Sequence, residues 1–150
     1  MNIAVIIPLY NQSKYWDRIV SGLKKQSLRP SIVYVVIDRP QDDKGPVTPS
    51  GDPEFPNWDA VSHVSNINAN TPELNFEILT IQEPPKNIYR PLTGSVFLAG
   101  QARNIGVERA LKNGIELFVF IDGDCIPQPD LVASHANKCS HNVPVLSNGR

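Results

Sequence analysis

Residues 117–131 read LFVFIDGDCIPQPDL, five apolar side chains in an unbroken run that ends in Asp122-Gly123-Asp124. A run this short, built of Phe, Val, Ile and Leu, has the composition of a parallel strand covered on both faces. Three further segments resemble it: IAVII at 3–7, IVYVVI at 32–37 and FEILTI at 76–81. Between the first two lies KYWDRIVSGLKKQ (14–26), in which Trp16, Ile19, Val20 and Leu23 recur at helical spacing. A second helix is expected over 101–113, ending at Gly114, with shorter ones over 57–66 and 131–138. Strands alternating with helices predict an α/β fold, a mostly parallel sheet with helices on both faces. Right-handed crossovers then bring the strand ends to one side.

Length and composition limit what such a fold can serve. The 150 residues are about one domain, 1–150, with a single core. Lys and Arg number 14 against 15 Asp and Glu, a net charge of −1, which lacks the cationic surplus of a nucleic-acid binder. The apolar runs are too short to span a bilayer, and Met1-Asn2 offers no positive signal-peptide region, so a cytoplasmic protein is expected, free or at the cytosolic face of a membrane. Cys125 and Cys139 make no disulfide framework. Nine of the 14 prolines fall between Pro40 and Pro91, marking the middle third as loop-rich. Residues 39–56 form a Pro-rich connection far longer than is usual between a strand and its helix. It reads either as a lid, with Asp42, Asp43 and Lys44 its charged side chains, or as a mobile insertion without a role.

Ligands of open parallel sheets sit outside the carboxyl ends of the strands, and there this sequence turns polar. The first strand runs into Pro8-Leu9-Tyr10-Asn11, the second into Asp38-Arg39 and the fourth into the acid pair. Each carboxylate about 4 Å from a phosphate oxygen would cost roughly 4 kcal/mol at an effective dielectric near 20, so two of them exclude a bare anionic ligand. They suit a hard divalent cation, with Gly123 letting the backbone bend and a ligand approach. A solvated turn is the alternative reading of the triplet. Zinc is a rival: His135 and Cys139 stand four apart, with Cys125 and His141 nearby, yet the spacings match no common finger, and Cys125 is expected to pack under the acid turn. His63 is expected on a helix surface.

Taken in order, IAVIIPLYNQ, VYVVID, AGQARNIG and LFVFIDGDCIPQPDL resemble the nucleotide-binding half of family 2 glycosyltransferases, whose Rossmann-like fold is called GT-A. The resemblance implies metal-dependent, inverting transfer of a sugar from a nucleoside diphosphate sugar, by the family's habit a UDP-sugar, to a hydroxyl of a glycan, lipid or protein acceptor. It gives Tyr10 a place against the base, a contact of about 0.5–1.5 kcal/mol beyond burial. Asp38 would accept a hydrogen bond from the base, although the family's usual Asp-Asp-Gly-Ser is here Asp38-Arg39-Pro40. Pro8 and Asn11 would shape the turn, and Asn104 and Gly106 would be structural. Arg103, expected in the first turn of its helix, would reach a phosphate or the sugar. Asp122 would contact ribose or metal, and Asp124 would be the principal ligand of Mn²⁺ or Mg²⁺.

Inverting members of that family take a general base from an acceptor-binding half beyond the strand that matches VPVLSNGR, and this sequence ends at Arg150. The resemblance thus implies a truncated enzyme with no nameable catalytic base. The alternatives are a non-catalytic nucleotide-sugar-binding module and, more distantly, a nucleotidyltransferase.

Overall fold

The computed structural model describes residues 1–82 and 99–139. Four strands, β1 (Ile3–Leu9), β2 (Ile32–Asp38), β3 (Phe76–Ile81) and β4 (Leu117–Phe120), form one all-parallel sheet in the order β3-β2-β1-β4. The helices are α1 (Trp16–Lys24), α2 (Ala60–Ala69), α3 (Ala99–Lys112) and α4 (Leu131–Cys139). The expected fold class is the one found.

Alternation along the strands assigns the two faces. Ile3, Val5, Ile7 and Leu9 of β1, with Val33, Val35 and Ile37 of β2, pack against Trp16, Ile19, Val20 and Leu23 of α1, Val64 of α2 and Val132 of α4. Ala4, Ile6, Tyr34 and Val36 face the other way, against Ala102 and Ala110 of α3. All seven residues of β1 are buried, which is why that strand carries no polar side chain.

Close approaches lock these layers. At Gly106, an added Cβ would lie 2.5 Å from Ile6 Cγ2, so the glycine lets α3 lie directly on β1 and has the structural role expected of it. Asn104, by contrast, is exposed. Buried Trp16 meets Phe76 edge-on at 6.0 Å and donates its indole N–H to Asn68 Oδ1 at 2.8 Å, tying α1 to α2 and β3. Gln26, just past α1, donates to Gln128 O (2.6 Å) and accepts from Val132 N–H (3.0 Å), pinning the segment between β4 and α4.

Helix α2 starts three residues later than expected. Asp59 caps it by accepting from Ser62 N–H at 2.9 Å, and Trp58 lies before the helix with its indole N–H on Ser13 Oγ. His63, expected on the surface, is half-buried and packs at a tilt against Trp58, ring centroids 4.5 Å apart. The 39–56 connection is held in place. After a 3-10 turn at Pro40–Asp42, buried Asp43 accepts from the backbone N–H groups of Ser13 (3.1 Å) and Gly45 (2.9 Å), and Val47 bridges Pro53. Asp43 is thus a structural anchor, while Asp42 and Lys44 are exposed. The VPVL segment and His141 lie outside the described residues.

Candidate functional site

The order β3-β2-β1-β4 places the switch in chain direction between β1 and β4, where a parallel sheet opens a crevice. Pro8 helps to open it. Even-numbered residues of β1 direct their backbone groups toward β4, as the bond from Ile121 N–H to Ile6 O (3.1 Å) shows, and the β1–β4 register stops at Ile6↔Phe120. Proline, which has no N–H, is tolerated at residue 8 because nothing on that side remains to pair with, while β1 and β2 stay in register to Leu9↔Ile37.

The acid turn sits in this gap. A Cβ on Gly123 would come within 2.6 Å of Gln12 Oε1 and Leu9 Cδ2 and 2.8 Å of Pro8 O. The glycine is therefore needed to seat the turn against β1, a different reason from the expected approach of a ligand. Asp122, 58% exposed at its side chain, pairs with Arg103 Nη2 at 2.5 Å. Asp124 is exposed and lines a cavity of about 240 Å³ with Tyr15, Arg18, Ile19 and Ile126. Among the described residues, two buried polar atoms that flank the turn have no partner: Gln12 Oε1, an acceptor, and Arg103 Nε, a donor. Groups left so are costly unless a ligand satisfies them. Gln12 was not foreseen, because a glutamine after a strand reads as a solvated side chain.

A second cluster lies at the ends of β1 and β2. Asp38 is 1% exposed, and both of its carboxylate oxygens accept from Arg39, from Nε at 3.0 Å and from Nη2 at 2.9 Å. The Arg39 guanidinium stacks over the Tyr10 ring, 4.4 Å from its centroid, and its hydrogen bonds to Asp38 hold it above the ordinary arginine pKa. Asn11 adopts a φ of 51°, which asparagine tolerates, and its Oδ1 accepts from Lys44 N–H at 3.0 Å. Asn11 shapes the turn in this way.

Sequence reasoning placed Pro8, Tyr10, Asn11, Asp38, Arg103, Asp122 and Asp124 at one crevice. The structure brings Pro8, Arg103, Asp122 and Asp124 to the β1–β4 gap, and Tyr10, Asn11 and Asp38 to the adjoining β1–β2 end. Two details differ. The chain is already helical at Ala99, so Arg103 lies beyond the first turn of α3 and reaches the site by its long side chain, not by helix position. Cys125 is exposed with its S–H toward Asp124 Oδ1 at 3.6 Å, instead of packed beneath the turn; partial burial and then that bond raise its thiol pKa.

For a cation, the donor set is two carboxylates. Among the described residues no group of three or more His, Cys, Asp or Glu could hold a metal, which leaves the zinc reading without support. Two exposed carboxylates on one turn are the donor type that Mg²⁺ or Mn²⁺ takes, through one or two carboxylates plus substrate phosphates, although Asp122 is paired with Arg103 of α3 and Asp124 borders a cavity lined by α1. The largest cavity among those described, about 710 Å³, lies elsewhere, between α1 and α2 beside Lys24 and His63. Its lining holds no strand-end acid, so size alone does not mark the site.

No protein-family model matches this sequence, and no curated protein matches it. Solved structures do. S. aureus TarS superposes over 93% of this chain and 20% of its own, with a TM-score of 0.54 and 21% identity. This chain shares its fold with TarS. TarS 1-349 has been solved in complex with UDP-GlcNAc (TM-score 0.53, 17% identity, 93% of this chain and 31% of that one) and with UDP (0.54, 18%, 93% and 32%). The chain thus spans about a fifth to a third of the length of these structures. No helix among the described residues is long and apolar enough to cross a membrane.

Proposed function

We propose that this chain is the donor-binding part of a cytoplasmic glycosyltransferase, one that transfers a sugar from a nucleoside diphosphate sugar, a UDP-sugar in the first instance, to a hydroxyl acceptor with inversion at the anomeric carbon. The observation that carries this reading is the acid pair in the β1–β4 gap of a sheet whose fold is shared with a protein solved with UDP and UDP-GlcNAc. By the family resemblance, the Tyr10 ring would lie against the base. Arg103, with one guanidinium nitrogen on Asp122 and its buried Nε without a partner among the described residues, would exchange that carboxylate for a diphosphate oxygen. Asp122 and Asp124 would hold Mn²⁺ or Mg²⁺. When bound, the cation supplies Lewis-acid stabilisation of the charge on the departing diphosphate.

Calorimetric titration with UDP and with GDP, each with and without Mn²⁺, tests the reading. UDP binding is expected to require the metal and to be lost in Asp124→Ala, whose exposed side chain makes no contribution to the core. Binding of neither nucleotide by the intact protein overturns the reading. Binding without sugar transfer leaves a nucleotide-sugar-binding module in place of an enzyme.

A further inference from the structure

The chain leaving the acid turn is held at two places. Gly123 is pressed against β1, and from Pro127 onward the segment is gripped by the end of α1. A Cβ on Gly22 would stand 2.8 Å from Pro127 Cγ and Cδ, so helix and proline are in direct contact. Gln26, 6% exposed, donates its side-chain amide to Gly22 O (3.2 Å) and to Gln128 O (2.6 Å). Its Oε1 accepts from Val132 N–H (3.0 Å), one of the first amides of α4, which have no helical carbonyl to bond. Ser27 N–H adds a bond to Pro129 O at 2.7 Å. Residues 124–126 alone bridge the interval between the two anchors. Asp124 and Ile126 of that bridge line the cavity of about 240 Å³ together with Tyr15, Arg18 and Ile19. The spacing between α1 and the bridge therefore sets both where Asp124 stands and how wide the space beside it is.

We propose that Gln26 is a positioning residue: through Gln128 and Val132 it fixes the 124–126 bridge relative to α1, and so holds Asp124 where it would meet the cation and diphosphate of the donor. This rests on the donor-site reading above. Gln26 would touch no ligand itself, because it is buried and bonds only to backbone. Both amide hydrogens and the carbonyl of one planar group are engaged, so neither Gln128 nor Val132 can shift without leaving a buried polar group unpaired. A role in stability alone would lower the melting temperature and leave the affinity of the folded protein unchanged. A positioning role lowers the affinity of a protein that is still folded.

The test is calorimetric titration with UDP in the presence of Mn²⁺, at a temperature where circular dichroism shows the samples folded, on the intact protein, Gln26→Met, Gly22→Ala and Asn68→Ala. Gln26→Met keeps the length of the side chain and loses all of its hydrogen bonds, and Gly22→Ala pushes Pro127 directly away from α1. Asn68→Ala removes the acceptor of the Trp16 indole N–H on the α2 flank of the same helix and controls for lost stability. Binding groups must be held within roughly 0.5 Å, so Gln26→Met and Gly22→Ala are each expected to lose about tenfold or more in UDP affinity. Asn68→Ala, distant from the bridge, should stay within about twofold of the intact protein. An affinity within about twofold in a folded Gln26→Met overturns the proposal. So does a loss in Asn68→Ala as large as in Gln26→Met, which would trace the effect to general stability. If circular dichroism shows Gln26→Met unfolded, Gly22→Ala decides alone. Failure of the intact protein to bind UDP refutes the donor site and this proposal with it, whereas UDP binding that Gln26→Met and Gly22→Ala retain refutes only the part assigned to Gln26.

Discussion

Replacing Gly123 by alanine tests how the acid turn is seated. The new Cβ would stand 2.6 Å from Gln12 Oε1 and Leu9 Cδ2 and 2.8 Å from Pro8 O, where ordinary contact begins at 3.4 Å. Turn and strand must therefore part by about 0.6–0.8 Å, the difference between those distances. Gln12 can swing aside, but Pro8 O belongs to a buried strand and Leu9 is fully buried, so neither yields cheaply. Overpacking of this kind costs about 1–3 kcal/mol. In a chain of this length that lowers Tm by roughly 3–10 °C. The displaced backbone carries Asp122 and Asp124 with it, so metal-dependent UDP affinity is expected to fall at least about tenfold, a shift of about 1.4 kcal/mol. Differential scanning calorimetry and titration on the same sample measure both. A variant that melts within about 1 °C of the parent and binds UDP unchanged refutes the claim that glycine is required by contact with β1.

Two other changes address the frame around the site. Asp43→Ala leaves the buried N–H groups of Ser13 and Gly45 without an acceptor and is expected to cost about 1–3 kcal/mol, read from the urea midpoint, with faster proteolysis between residues 44 and 58; unchanged cleavage would show that the loop does not depend on Asp43. His135 on α4 has its pKa lowered by burial and then by Lys138. The unfolded chain therefore takes up the proton more readily, so stability is fully present above the unfolded value of about 6.5 and declines as pH falls below it. His135→Gln should flatten that decline by a fraction of one proton in urea melts at pH 7.5 and pH 5, and an equally steep decline in the variant would assign it to other groups.

The fold was legible because the core is segmental. Each of the four strands is a short run rich in Val, Ile, Leu and Phe, three of them apolar almost throughout, and α1 announces itself through Trp16, Ile19, Val20 and Leu23, all of which prove buried in one cluster. The start of α2 was misplaced because Trp58 looks like part of an apolar stripe, whereas tertiary contacts with Ser13 hold it outside the helix. The site was legible in its residue types and less so in its connections. That Asp38 lies beneath Arg39 depends on a left-handed φ at residue 39, which no composition signals. Asp43 looked like a loop charge because its two amide donors are separated from it by 30 residues in one case and two in the other, and only the first required the folded chain. That Gln12 Oε1 has no partner among the described residues likewise follows only once Gly123 has been pressed against β1.

Pro8 carries a consequence for how the crevice persists. Two parallel strands lying side by side tend to zip, each bond bringing the next pair of backbone groups into reach. At residue 8 the zipper meets a position with no tooth, so β1 and β4 separate at the same place in every molecule without stranding an amide. Any other side chain at residue 8 would bring an N–H into the gap, free to draw the acid turn inward and begin closing the space in which a diphosphate would lie.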